Sequence, residues 1–201
     1  MSWDFRKEVR RKGIHLLSAG FVIVFVLASD FWGKKIALFL LTALLLLLLE
    51  IDYVRVELRR KIPFVWRLWR RREENRFGGQ VFFLIGTIIS LAVFDFPIAL
   101  AAILMTTFGD MAAALIGKRF GHVYVTKERS LEGIVGEFIV NFFIGAIIIT
   151  NFWIVLVMSL TATIVESAVD RLDDNLLIPL FAGFSGQVSV VVLHALGIPC
   201  L

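Results

Sequence analysis

The stretch IALFLLTALLLLLL at positions 36–49 decides the fold class, because it contains no charged residue and a single hydroxyl. With its flanks it approaches the ~20 apolar residues that a helix needs to cross ~30 Å of hydrocarbon. A helix on the surface of a soluble protein would carry a polar face at helical spacing. We therefore interpret residues 36–52 as a membrane span.

The rest of the chain has the same character. Of its 201 residues, 59% are hydrophobic and only 19% are charged, and the mean hydropathy is +0.86. Soluble domains are ~45–50% apolar and ~25% charged, and a soluble fold of this length could not hide the excess. These figures, with one cysteine, exclude a disordered chain, an ordinary nucleic-acid-binding domain and a disulfide scaffold. They indicate an integral membrane protein.

Apolar stretches recur along the whole sequence and predict an all-α bundle of about seven transmembrane helices in a single domain, residues 1–201. The fourth and seventh stretches are rich in Gly, Ala, Ser and Thr, which allow close helix packing, so we expect them to be central. The short hairpin near Thr150 and Asn151 makes the fifth and sixth antiparallel neighbours. The stretches are 13–30, 36–52, 78–95, 97–116, 134–150, 152–169 and 176–197.

The positive charges orient this bundle. With seven spans and a cytoplasmic N-terminus, all of the 21 Lys and Arg residues except Lys34 and Lys35 fall on the cytoplasmic face. The C-terminus is then predicted outside. Residues 54–75, the longest connection, predict a basic interfacial helix between the second and third spans. This helix either anchors the chain on anionic lipid or guides a lipid substrate.

Acidic residues gather at the cytoplasmic ends of the predicted spans. Ionisable groups near a membrane interior are costly and face a partner or a cavity. Carboxylate oxygens suit Mg²⁺, which completes its shell with water and phosphate oxygens, and nearby Lys and Arg would hold phosphate. The pattern predicts a site for Mg²⁺ and a nucleotide acting on a lipid. The acids are Glu8, Asp110, Glu132, Glu137, Glu166, Asp170, Asp173 and Asp174.

Some of these acids also have a structural interpretation. Residues 173–175 suit an N-terminal cap of the seventh span. Glu137 and Asn141, at i and i+4, suit a hydrogen bond between helices. Asp110 lies inside a span rich in Gly and Ala, where an acid needs a partner, so we favour a functional role for it.

Three segments resemble the polyprenol kinase family, which includes dolichol, phytol and farnesol kinases and the CTP-dependent diacylglycerol kinase. They are EVRRKGIHLLSAG at 8–20, GDMAAALIGKRFGHVYVTKERSLEG at 109–133 and VESAVDRLDDNLLIPLFAG at 165–183. Arg129 departs from the family, where Lys is common. The chain resembles a minimal core of the archaeal or bacterial type, which implies the plasma membrane of a prokaryote.

The resemblance implies Mg²⁺-dependent transfer of the γ-phosphate of CTP to the hydroxyl of an isoprenoid or other lipid alcohol, at a cytoplasmic site. On this basis we expect Asp110, Glu132, Glu166 and Asp174 to supply metal ligands or a base. His15 would contact the lipid hydroxyl or the phosphate. The residues expected to bind the nucleotide and its phosphates are Arg11 or Lys12, Lys118, Arg129, Ser130, Gly133 and Asn175.

Three other functions stay open from the sequence. A CTP:phosphatidate cytidylyltransferase would use similar groups for the metal and CTP. A small transporter or channel would line a path with its buried charges, although the acids here gather at one face. A purely structural membrane subunit would tolerate loss of Asp110 and Glu166.

Overall fold

The computed structural model describes residues 20–57, 77–126, 129–168 and 172–198 and is all-helical. The predicted helical class is therefore confirmed. Within these ranges, the β-structure consists of one isolated antiparallel bridge between Tyr124 and Ser130. The helices are α1 (Gly20–Trp32), α2 (Lys34–Val56), α3 (Gly79–Val93), α4 (Phe96–Phe120), α5 (Leu131–Ile148), α6 (Phe152–Ala168) and α7 (Asp174–Ala195).

Each described helix falls within a few residues of a predicted stretch, but the seven-span bundle is not confirmed. Four helices, α2, α4, α5 and α7, are long and apolar enough to cross a membrane. The 15 residues of α3 extend for only about 22 Å at 1.5 Å per residue, against ~30 Å of hydrocarbon. The start of the first predicted span lies outside the described residues.

The predicted interfacial helix over 54–75 falls mostly outside the described residues. At its beginning the structure differs from the prediction, because residues 54–56 continue α2 to Val56. Asp52 is buried near this end of α2, where it pairs with Arg55 and accepts a hydrogen bond from the backbone N–H of Gly78 at 2.6 Å. The end of α2 and the start of α3 are thus joined directly.

Helix α4 is the centre of the bundle, as predicted. It packs against α3, α5, α6 and α7, and α7 packs against α3, α4 and α6. Helices α5 and α6 are antiparallel neighbours across a short turn, as expected from their connection. The largest buried side chains along these contacts are Phe83, Leu84, Leu91, Ile98, Ile103, Met105, Ile154, Met158 and Ile178.

Two glycines allow the closest helix approaches. A Cβ at Gly133 would lie 2.8 Å from the carbonyl oxygen of Ala113 and 3.1 Å from Gly117 Cα, so α4 and α5 touch backbone to backbone. A Cβ at Gly86 would lie 2.8 Å from Pro179 Cγ and 3.1 Å from the Asn175 carbonyl oxygen, where α3 crosses α7. Small residues of this kind are typical of helix contacts in membranes.

The α3–α7 crossing yields a stability prediction. Gly86→Ala is expected to lower stability by about 1–3 kcal/mol, because the added methyl group overlaps a proline ring and a carbonyl. The measurement is thermal unfolding of the purified protein in detergent. Gly20→Ala is the matched control, since a Cβ there meets nothing within 4 Å. Equal melting temperatures for the two variants would contradict the crossing.

Candidate active site

One carboxylate from each of four consecutive helices converges at one end of the bundle. Glu166 of α6 interacts electrostatically with Asp110 of α4, Glu137 of α5 and Asp174 of α7. We call Asp110, Glu137, Glu166 and Asp174 the acidic cluster. Three of its four members were predicted as site residues, and Glu137 was not among those assigned a site role.

Arg129 pairs with two members of the acidic cluster. Its Nη1 lies 3.5 Å from Glu166 Oε1 and its Nη2 lies 3.9 Å from Asp174 Oδ2. Exposure falls inward along this set, from 34% for the Asp174 side chain through 22% for Arg129 to 3% for Glu166 and 1% for Glu137. The acidic cluster therefore runs from the surface into the interior of the bundle.

The connection from α4 to α5 places Arg129 at the cluster. The N–H groups of Val125 and Thr126 donate to the Arg129 carbonyl at 3.0 and 3.3 Å, and the N–H of Leu131 donates to the Val123 carbonyl at 2.8 Å. The Thr126 hydroxyl accepts from the Arg129 N–H at 3.2 Å. This connection returns the chain to the start of α5, so the guanidinium faces the last turn of α6 and the first turn of α7.

The inner end of the acidic cluster contains polar atoms without partners. Asn141 Nδ2 donates to Glu137 Oε1 within α5 at 3.4 Å and to Thr163 Oγ1 of α6 at 3.3 Å. The second bond joins the two helices, as the structural interpretation of the Glu137 and Asn141 pair proposed. Among the described residues, no hydrogen-bond partner reaches Glu137 Oε2, Glu166 Oε2 or Asn141 Oδ1. Buried acceptors of this kind are costly and indicate a missing partner.

Ser130 and Gly133 lie beside Arg129, at the start of α5, where a phosphate-binding role was predicted. Ser130 is buried and caps the helix, and its Oγ accepts the Gly133 N–H at 3.2 Å. The hydroxyl also lies against Gly117 and Gly121 of the preceding segment. In this arrangement the capping bond uses the Gly133 N–H, so the described contacts are structural and the phosphate role stays a prediction.

Glu132 follows Ser130 but contacts a different part of the chain. Its Oε1 accepts the backbone N–H groups of His122 and Val123 at 2.9 and 3.3 Å. These bonds hold the end of α4 to the start of α5. The His122 ring lies close as well, with its Nδ1 3.7 Å from Glu132 Oε1, while Glu132 Oε2 has no hydrogen-bond partner among the described residues. The predicted metal or base role of Glu132 stays a prediction.

The start of α7 divides its acids between two tasks. Asp173 caps the helix by accepting the backbone N–H of Asn175 at 3.1 Å and its Nδ2 at 2.7 Å, as the structural interpretation proposed. Asp174 instead faces Arg129. Lys118 lies exposed in the last turn of α4, two turns beyond Asp110. The remaining predicted site residues, Arg11, Lys12 and His15, lie outside the described residues.

The donor set of the acidic cluster fits a divalent cation. Across the described ranges, no group of three or more His, Cys, Asp or Glu side chains is arranged to hold a metal by itself. Mg²⁺, however, is usually held by one or two carboxylates together with phosphate oxygens and water. The unpartnered oxygens of Glu137 and Glu166 are ligands of that type.

The ion pairs of Arg129 yield a stability prediction. Arg129→Gln is expected to destabilise the protein by about 1–3 kcal/mol, because the Glu166 carboxylate then stays buried beside other acids. Thermal unfolding in detergent measures the change. The double variant Arg129→Gln/Glu166→Gln should recover part of the loss. Arg119→Gln, which removes an exposed cation over the Phe120 ring, is the control. A strictly additive double variant would contradict the pairing.

The sequence of this chain is similar to those of known proteins. The chain is 25% identical over 209 residues to CTP-dependent diacylglycerol kinase 1 of Schizosaccharomyces pombe, covering 89% of this chain and 91% of that protein. It is 29% identical over 129 residues to phytol kinase 1, chloroplastic, of Arabidopsis thaliana, covering 54% of this chain and 42% of that protein.

A bacterial relative extends this comparison. An uncharacterized protein of Rickettsia prowazekii is 26% identical over 189 residues, with 88% of this chain and 92% of that protein covered. No family model and no solved structure matches the chain. The resemblance carried by the three sequence motifs is confirmed, because the relatives of this chain include CTP-dependent diacylglycerol kinases and phytol kinases.

Proposed function

We propose that this protein is a CTP-dependent lipid kinase that transfers the γ-phosphate of CTP to the hydroxyl of a polyprenol, isoprenoid or related lipid alcohol. The products are the lipid phosphate and CDP. The observation that carries the proposal is the acidic cluster around Arg129, built from four helices of a chain whose homologues are CTP-dependent lipid kinases. CTP as donor rests on those homologues.

Phosphoryl transfer depends mainly on positioning and on neutralising charge. Arg129 is placed to bind triphosphate oxygens at the surface of the acidic cluster, with Lys118 as a second cation in the last turn of α4. Arg129 binds bidentately where a lysine would act as a point charge. The Arg found at this position, where the family commonly has Lys, therefore keeps the charge and changes the geometry of phosphate contact.

The acidic residues perform the complementary task. Asp110, Glu166 and Asp174 would hold Mg²⁺, which when bound supplies charge neutralisation on the phosphates. Asn175, bonded to Asp173 at the start of α7, would orient water or contact the nucleotide. The segment that carries Arg129 is held in place by the side chains of Ser130 and Glu132 and by the backbone N–H of Gly133. The lipid alcohol would approach laterally, with its head at the interface and its tail among the apolar helices.

Labelled CTP tests the reaction. Purified protein with Mg²⁺ and a panel of lipid alcohols is expected to transfer label from the γ-phosphate into the lipid. The panel includes diacylglycerol, phytol, farnesol, geranylgeraniol and dolichol. Label entering from the α-phosphate instead would identify a cytidylyltransferase. Solute flux in liposomes without CTP turnover would identify a transporter, and either result would overturn the proposal.

Asp110 is the most direct residue to test. Asp110→Asn is expected to lower kcat by at least about 100-fold, because it removes a carboxylate that would hold Mg²⁺ or act as a base. The variant should keep its yield and melting temperature in detergent. Asp95→Asn is the matched control, because Asp95 lies just before the opposite end of the same helix and pairs with Gln187. An Asp110→Asn enzyme with full activity would remove α4 from the site.

The orientation in the membrane is part of the proposal and uses the single cysteine, Cys200, as a reporter. We propose that the N-terminus and the site are cytoplasmic, that the C-terminus is outside, and that the membrane is the plasma membrane of a prokaryote. An impermeant maleimide is expected to label Cys200 in intact cells. In Cys200→Ser protein carrying Val123→Cys, labelling should need inverted vesicles. The opposite pattern would contradict the orientation.

A further inference from the structure

We infer that Glu137 and Glu166 form the divalent-cation subsite of the acidic cluster, so that Glu137 is the ligand contributed by α5. This differs from the set predicted from the sequence, in which Glu132 provides that ligand. The inference rests on the proposed function only for the identity of the metal and nucleotide.

Burial and missing partners mark these two side chains. Glu137 is 1% exposed and Glu166 is 3% exposed, yet in the described part of the chain neither Oε2 atom has a hydrogen-bond partner. The two carboxyl groups nevertheless interact electrostatically with each other. Adjacent buried carboxylates repel and lose their hydration, so the arrangement calls for a group that attracts both.

Arg129 satisfies only the outer side of the acidic cluster. Its guanidinium reaches Glu166 Oε1 and Asp174 Oδ2, at 3.5 and 3.9 Å. Glu137 Oε1 accepts a long bond of 3.4 Å from Asn141. The oxygens left over, one on α5 and one on α6, belong to the deeper carboxylates. A cation between them would complete the site, with phosphate oxygens filling the shell toward Arg129.

Helix geometry separates Glu137 from Glu132. The two residues are five positions apart, which is about 140° around a helix of 3.6 residues per turn. Glu132 also has an oxygen without a partner among the described residues, Oε2, but its Oε1 is held by the backbone N–H groups of His122 and Val123. Glu137 is one turn beyond Gly133, on the side of α5 that contacts α4. Of these two acids, Glu137 is therefore the one that shares the space between α4, α5 and α6 with Glu166.

Manganese binding tests this assignment directly. Mn²⁺ alone is titrated into the purified full-length protein, and free Mn²⁺ is measured by electron paramagnetic resonance. Glu137→Gln and Glu166→Gln are each expected to weaken binding at least about tenfold. Glu132→Gln should stay within about twofold of the wild type, as should Glu50→Gln, which changes an exposed acid on α2. Melting temperatures in detergent verify that each variant is folded.

The outcomes separate this inference from the proposed function. Wild-type affinity in Glu137→Gln, equal losses in Glu132→Gln and Glu137→Gln, or no Mn²⁺ binding by the wild type would each overturn the subsite. If γ-phosphate transfer occurs while Glu137→Gln binds Mn²⁺ normally, the kinase stands and the subsite falls. If Mn²⁺ binding depends on Glu137 but no lipid accepts the γ-phosphate, the subsite stands and the kinase falls.

Discussion

The structure depends on one electrostatic constraint: carboxylates from four consecutive helices must be balanced inside an apolar bundle. Arg129 provides part of that balance through Glu166 and Asp174. It reaches them because residues 123–126 pair with residues 129–131 through backbone hydrogen bonds, just before α5. An ion pair of this kind is stabilising only with good geometry and additional polar partners. In the described part of the chain, one oxygen of Glu137 and one of Glu166 have no hydrogen-bond partner, and our proposal places a cation there.

The packing of the bundle serves this constraint. Close contact between α4 and α5 at Gly133 brings Asp110 and Glu137 onto facing helices, and the cap at Ser130 sets where α5 begins. Glu132 ties the same region together through the backbone. The residues at the start of α5 for which the sequence predicts phosphate binding therefore also have a structural role. They hold Arg129 at the exposed end of the acidic cluster.

Much of the fold follows from hydropathy, because long apolar runs such as 36–49 have no soluble alternative. The positions of the helices, the central place of α4 and the antiparallel α5–α6 pair were all predictable. Helix lengths were not, since α3 ends at Val93 and is shorter than a full span. Side-chain hydropathy does not report where a helix begins or ends within a polar-free region.

The sequence predicted which kinds of residue gather at the candidate site, but not which particular acids face one another. Asp110, Glu166, Asp174 and Arg129 lie close together, and their roles stay predictions. Glu137 was included among the acids at the cytoplasmic face, but the pair it forms with Asn141 at i, i+4 favoured a structural role. Its position one turn beyond Gly133 was the available signal, because that glycine marks the face of α5 that packs on α4. Which acids share a face with a neighbouring helix depends on helix rotation, and spacing along one helix does not determine it.

An anomalous difference map from crystals grown with Mn²⁺ and CTP would locate both the metal and the triphosphate. We expect a manganese peak coordinated by Glu137 and Glu166, with triphosphate oxygens between the metal and Arg129. A peak held by Glu132, or a triphosphate bound away from the acidic cluster, would contradict this expectation.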